Sequence, residues 1–427
     1  MAGWKDVIPK TERRNFCLFT IDGTFFYLSQ ALFEPSVLVP AFISHLTSSP
    51  FLIGLGTTVR NAGWFLPQVF VAGYVETRPF RRPLVLAGGL VHALALLFII
   101  PAVLLLEPVN NWATLAAFLF LYSLSSAGEG VVGVPWMDMV GKCIGPTRRG
   151  RLMGYMQAMG GLSAFGAGGV VAWVLSREWL EFPCSYMVLV FLSSMALMGI
   201  VACMYLLREP PGEARSGQLR LRHYLEGLPA IVRANPGLKS FLITKVLGNL
   251  YMLCVPFYVT YARNELLVPD SMMGAFIGVQ MLGNMGGSIL LGYLGDTFGN
   301  RLVILLAMFS TMTAPGVGLF LTLAAGSLPS GVCTGLLLVV YFSLGMTFSG
   351  MWMGFQNYIL ELVEPKIRPT CIGLGNSLVA PVSFTPLLGG YLVASLGYSW
   401  LFGLTALMVA SGLCMSLRLP EPRARKA

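Results

Sequence analysis

Apolar residues run along most of this chain in uninterrupted stretches, separated by short polar segments. A helix rising about 1.5 Å per residue needs about 20 such residues to cross a bilayer core. Twelve segments are long enough: 16–39, 50–75, 84–106, 112–136, 152–176, 184–207, 240–262, 271–295, 302–325, 330–356, 371–396 and 399–417. None shows the short alternation of a barrel strand, and in lipid a lone segment satisfies its backbone only as a helix. The pattern predicts an all-α, polytopic membrane protein with twelve transmembrane helices. The longest polar stretch, Arg208 to Lys239, divides the spans six and six. It predicts an N-terminal six-helix bundle over 16–207, a linker over 208–239 and a C-terminal six-helix bundle over 240–417, with tails 1–15 and 418–427. Leu219–Arg233 reads as a short surface helix in the linker.

Composition sharpens this picture. The chain is 56% hydrophobic and 11% charged, too few charges to cover a water-facing surface of 427 residues. The net charge of +9 does not point to nucleic acid, because the basic residues sit in short clusters between apolar runs. Of 28 lysines and arginines, only Arg177 and Arg263 fall in the loops of one side; Arg60 and Lys245 fall inside spans, and the rest lie on the other side. That bias predicts an integral protein of the cell (inner) membrane with both termini cytoplasmic. The first apolar run is too long for a signal-peptide core and reads as a retained span. Cysteines and histidines are dispersed, so neither a metal nor another cofactor is expected. No GxxxxGK[ST] sequence and no clustered nucleophiles are present, so the expectation is a carrier, not an enzyme.

The halves repeat one another at an interval of about 220 residues. Glu76 corresponds to Asp296, each followed five residues on by an arginine, Arg81 or Arg301; Pro35 corresponds to Pro256. Pro146-x-x-Arg149-x-x-x-x-Gly154 corresponds to Pro365-x-x-Arg368-x-x-x-x-Gly373. Two six-helix bundles related by a pseudo-two-fold axis follow.

The segment Gly292-Tyr-Leu-Gly-Asp296-Thr-Phe-Gly299-Asn300-Arg301 resembles the signature loop of the major facilitator superfamily. The first half carries a degraded copy, Gly73-Tyr-Val-Glu76-Thr-Arg78-Pro79-Phe-Arg81-Arg82, with proline where that family has glycine. The resemblance implies two bundles rocking about a central site lined by spans one, four, seven and ten. It also implies a cytoplasmic latch of Glu76, Arg81, Arg82, Asp296 and Arg301. Asp138, at the inner end of span four, is placed to pair with Arg81 or Arg82.

Ionisable residues at bilayer depth are functional candidates by default. Counted from the cytoplasmic span ends, Asp22, Lys245 and Glu129 all lie about 8–10 Å deep. Asp22 or Glu129 is therefore expected to couple transport to protons, with Lys245 as counter-ion. Arg60 heads a stripe with Trp64 and Gln68, is expected to be neutralised by Asp22 or Glu34, and has the fork geometry to bind an anionic group. Asn249, Gln280, Asn284, Trp352, Gln356 and Asn376 are candidates for contacting a polar or amphipathic solute. His92 reads as structural. The functional expectation is secondary active transport of a small organic solute, proton-coupled, by a monomer in the bilayer. The alternatives are a multidrug or amphipathic-lipid exporter of the same fold, a channel or scramblase, or a membrane-embedded enzyme.

Overall fold

The computed structural model describes residues 10–76, 78–211, 232–233, 235–363 and 368–422. Its elements are α1 (Lys10–Leu32), α2 (Leu38–Leu46), α3 (Pro50–Glu76), α4 (Arg82–Leu106), α5 (Asn111–Cys143), α6 (Pro146–Leu175) and α7 (Cys184–Leu206) in the first half. The second half holds α8 (Pro236–Asn249), α9 (Phe257–Asn264), α10 (Met272–Phe298), α11 (Asn300–Ala324), α12 (Ser330–Leu362), α13 (Arg368–Val379), α14 (Thr385–Leu396) and α15 (Tyr398–Ser416). No strand occurs among the described residues. Among the described residues, ten spans, counting from α4 onward and joining α8 to α9 and α13 to α14, are long and apolar enough to cross a membrane. The α1–α2 pair and α3 complete the twelve-helix pattern, diluted in hydropathy by Asp22 and Arg60. The expected linker helix at 219–233 lies almost wholly outside the described residues.

Three expected spans are broken rather than continuous. Span one breaks between α1 and α2 at Pro35, span seven passes through a 3₁₀ turn at Leu250–Leu253 before Pro256, and span eleven does so at Ala380–Phe384. Proline lacks the N–H that the helix ladder needs and crowds the preceding turn. The repeat-related Pro35 and Pro256 therefore interrupt equivalent spans. Other helices outrun their apolar windows: α1 starts at Lys10, α5 runs to Cys143 and α12 to Leu362. Backbone hydrogen bonding does not stop where apolarity does.

The chain sorts into two compact units. The first comprises residues 1–35 and 59–218; the second comprises 36–58 and 219–427. In the first, α4 lies along α5, and α1 along α6 and α7. In the second, α12 packs on α10 and α11, and α15 on α11 and α8. Each unit has a core at one end, around Phe19, Met139 and Leu152 in the first and Phe241, Phe355 and Tyr358 in the second. Outward faces carry exposed Leu105, Phe120, Leu162, Ile289, Leu323 and Leu407, a cost in water that lipid removes.

In the first unit an acid after the last helix holds an earlier turn. Glu209 accepts from the backbone N–H groups of Arg81 (2.9 Å) and Arg82 (2.8 Å), capping α4. In the second unit the turn is one residue, Gly299, at φ +96°, a conformation that suits glycine. A side chain there would meet Glu421 at 3.0 Å. In the first half residues 78–81 are non-helical, and Pro79 stands where the second half has Gly299.

Candidate functional site

Five helices of the first unit bring polar side chains to one buried place. Ser29 and Gln30 come from α1, Arg60 from α3, His92 from α4, Tyr122, Ser125 and Glu129 from α5, and Ser193 from α7. Phe33, Leu96 and Leu197 close the apolar side. The space between them takes a water-sized group.

Glycines make this convergence possible. A Cβ at Gly128 would stand 2.7 Å from the His92 nitrogen and 2.8 Å from the Gly88 carbonyl oxygen. A Cβ at Gly130 would strike the Gly63 carbonyl oxygen and lie 2.7 Å from that of Trp64. The two glycines flank Glu129, so α3 and α4 press against α5 on either side of the acid. That approach seats Arg60 and His92 next to it.

Arg60 Nη2 lies 2.7 Å from Glu129 Oε2, with the side chains 15% and 6% exposed. Gln30 Nε2 donates to Glu129 Oε1 at 3.0 Å. His92 Nδ1 lies 2.9 Å from the Ser125 carbonyl oxygen and 2.8 Å from its hydroxyl, which donates to the His92 carbonyl at 3.0 Å. A carbonyl only accepts, so Nδ1 carries the ring proton. In the neutral ring Nε2 is then bare, and it lies 3.8 Å from Glu129 Oε2. Neither Nε2, Oε2 nor the Tyr122 hydroxyl has an aligned hydrogen-bond partner.

This arrangement corrects three expectations. The ion pair of Arg60 is with Glu129, although Glu34 is close enough to act on it electrostatically. The cation paired with Glu129 is Arg60; within the second unit Lys245 donates to Asn376 at 2.8 Å. Asp22 and Glu129 are not at one level. Asp22 accepts from Trp136 Nε1 at 2.8 Å, whereas Glu129 meets Gln30, eight residues further along α1 and about 12 Å along its axis. Depths counted from each helix's own end assume flush ends, and the stagger of α1 against α5 breaks that assumption. Gln30 and Tyr122 do not stand out in the sequence, and His92 reads there as structural. Their signal lay in register between helices, which no single-helix pattern carries.

Among the latch candidates, Arg81 Nε meets Asp138 Oδ2 at 2.8 Å, and Lys142 bridges Asp138 (3.1 Å) and Glu209 (3.2 Å). Arg82 donates to the Met204 carbonyl at 3.1 Å and to that of Tyr205, and stacks over the Tyr205 ring. The side chain of Glu76 lies outside the described residues. Arg301 donates to the Leu417 carbonyl at 3.0 Å, and Asp296 is exposed.

In the second unit Asn249 donates to the Lys245 carbonyl at 2.8 Å. Gln280 stands 3.5 Å from the Ser36 hydroxyl, a long contact. Asn284 is buried, and its Oδ1 has no partner among the described residues. Trp352 and Asn376 are exposed and Gln356 is half-buried. At the repeat interval from Arg60 and Glu129 stand Gln280 and Ser349, so the second half has no matching charge pair.

Residues 36–58 add a second polar cluster to this unit. Arg263 donates to Ser44 Oγ (2.6 Å) and to His45 Nδ1 (2.8 Å), and its Nε lies 3.2 Å from Asp270. An arginine only donates, so His45 Nδ1 accepts, and Nε2–H points to Asp270 Oδ2 at 2.9 Å. Gly54 and Gly390 allow close backbone approach here, against Pro386 and Phe51.

The family model described as Major Facilitator Superfamily matches residues 23–378 and 241–427. A search of curated proteins returns no match. Among solved structures, a mutant form of the nucleoside transporter NupG superposes with a TM-score of 0.71 at 12% identity, over 95% of this chain and 99% of that one. A D-xylose-proton symporter gives 0.71 at 16% identity, over 97% and 99%. A bacterial homologue of the iron transporter ferroportin gives 0.71 at 12% identity, over 95% and 98%. At these identities the likeness shows the fold alone, two bundles of six helices. With a family model matching almost the whole chain, this chain belongs to the Major Facilitator Superfamily and is a membrane transporter.

Proposed function

We propose that the protein is a secondary active transporter of a small organic solute, coupled to protons, with Glu129 as the proton-carrying acid and Arg60 as the cation it releases. The observation that carries this reading is the Arg60–Glu129 pair, 2.7 Å apart and buried in an apolar six-helix unit. A buried charge is costly without its partner. Neutralising Glu129 frees the guanidinium for an anionic or hydroxyl-rich group on the solute. The position therefore has two states that a proton can exchange. Asp22, Lys245, Asn249, Gln280, Asn284, Trp352, Gln356 and Asn376 are proposed to contribute further contacts. The Arg81–Asp138–Lys142–Glu209 network is proposed as the latch at the cytoplasmic end, with both termini inside a cell membrane and the monomer as the working unit. Solved proteins of this fold are named as carriers of nucleosides or as a xylose–proton symporter, which supports a polar organic substrate.

A thermal-shift screen of the purified protein against nucleosides, sugars, organic acids and amphipathic drugs selects a ligand. That ligand is then followed in proteoliposomes. The expected result is accumulation driven by an imposed pH gradient, which Glu129→Gln abolishes while leaving counterflow in place. Gradient-driven accumulation that survives Glu129→Gln overturns the assignment. A hit list confined to amphipathic drugs and lipids favours the exporter alternative.

A further inference from the structure

The proton-coupled reading leaves open what receives a proton beside Glu129, and the geometry around His92 bears on this. His92 Nδ1–H is committed to the Ser125 carbonyl and hydroxyl, which pins the ring. Its Nε2 lone pair therefore faces Glu129 Oε2 at 3.8 Å. Nε2 is buried without an aligned donor among the described residues, and Oε2 is held on its other side by Arg60 Nη2 at 2.7 Å. With no proton between them, the two lone pairs gain nothing from facing each other. One added proton turns the same geometry into a charge-assisted hydrogen bond, which closes to about 2.7–2.9 Å.

We propose that His92 Nε2 and Glu129 Oε2 form one shared proton site. A proton taken from solvent bonds to one of the two atoms and is hydrogen-bonded by the other, with no further reactant. The proposal rests on the proton-coupled reading and deepens it by naming the second acceptor. The other groups facing the site are Arg60 from α3, Tyr122 from α5 and, through Arg60, Glu34 just beyond α1. Gln30 from α1 and Ser193 from α7 are polar and do not titrate in this range. With the proton bound, the charge of the trio Arg60, Glu129 and His92 rises by one. Glu129 no longer balances Arg60 alone, and the guanidinium becomes available to an incoming group. His92 acts here through Glu129, as a positioning residue.

The test needs no knowledge of the solute. Infrared difference spectra of the purified protein in lipid are recorded while the pH is titrated through the carboxyl and imidazole ranges. Wild type is expected to show a carboxylic C=O band that Glu129→Gln removes. His92→Asn keeps an N–H where Nδ1–H was and deletes the Nε2 acceptor. It is expected to keep the band with its midpoint moved down by about one pH unit, the net worth of one hydrogen bond. An unmoved midpoint in folded His92→Asn overturns the shared site and leaves Glu129 as a lone carrier. A band that survives Glu129→Gln overturns the underlying reading as well. Histidine-selective ¹⁵N NMR of wild type provides a check independent of any variant's folding. Nε2 is expected to be unprotonated at alkaline pH and to titrate with the band. An Nε2 already protonated there overturns the proposal.

Discussion

Removing one member of the Arg60–Glu129 pair should cost far more than removing both. At 2.7 Å and an effective dielectric near 20, the attraction is about 6 kcal/mol. Burying each charge costs several kcal/mol, so the pair as a whole is close to neutral in stability. Arg60→Met leaves a carboxylate 6% exposed with Gln30 as its one hydrogen-bond donor among the described residues. Glu129→Leu leaves a guanidinium whose remaining nearby acid is Glu34. Each single variant should lose about 3–5 kcal/mol. For a unit of this size that lowers the unfolding midpoint by roughly 10 °C. The double variant should lose less than either single variant, so that at least about 3–5 kcal/mol of the summed loss is recovered. The assay is tryptophan-fluorescence or calorimetric unfolding of the four proteins in one detergent. Single losses that simply add, or single variants as stable as wild type, would refute the pairing.

The remaining predictions concern the supports around the site. Glu209→Gln should cost about 2–3 kcal/mol in the same unfolding assay, because its side chain is 1% exposed and accepts from two backbone N–H groups and Lys142. Asp138→Asn should cost at most about 1 kcal/mol, since Asp138 is 41% exposed and its ion pairs are screened. Gly130→Ala should lose about 1–3 kcal/mol by forcing α5 away from α3, and it should weaken the pH response read by infrared; an unchanged response would mean that helix spacing does not seat Arg60. Asp270→Asn should raise hydrogen exchange in α2 about tenfold through loss of the charged acceptor for His45 and Arg263. Equal exchange in both proteins would show that apolar packing alone holds residues 36–58 to the second unit.

Much of the architecture is legible one residue after another. Continuous apolar runs specify membrane helices because lipid offers the backbone no other partner. The Gly292–Arg301 loop and its degraded copy identify a family, since the turn they encode is local, with Gly299 supplying the positive φ. Pro35 and Pro256 mark the breaks in spans one and seven for the same local reason. Arg60 and Glu129 stand out in the sequence as charges where charges are costly. Their pairing does not, because it depends on how far α3, α4 and α5 slide along one another before Gly63, Gly128 and Gly130 let them touch. The same stagger moves Asp22 down to Trp136 and raises Gln30 to Glu129. It also brings His92, which the sequence reads as structural, to the acid. Composition and period act along one helix at a time and so determined the spans, their grouping and the candidate charges. Only tertiary packing decided which charge faces which, because a shift of two turns alters no residue's hydropathy and replaces every partner.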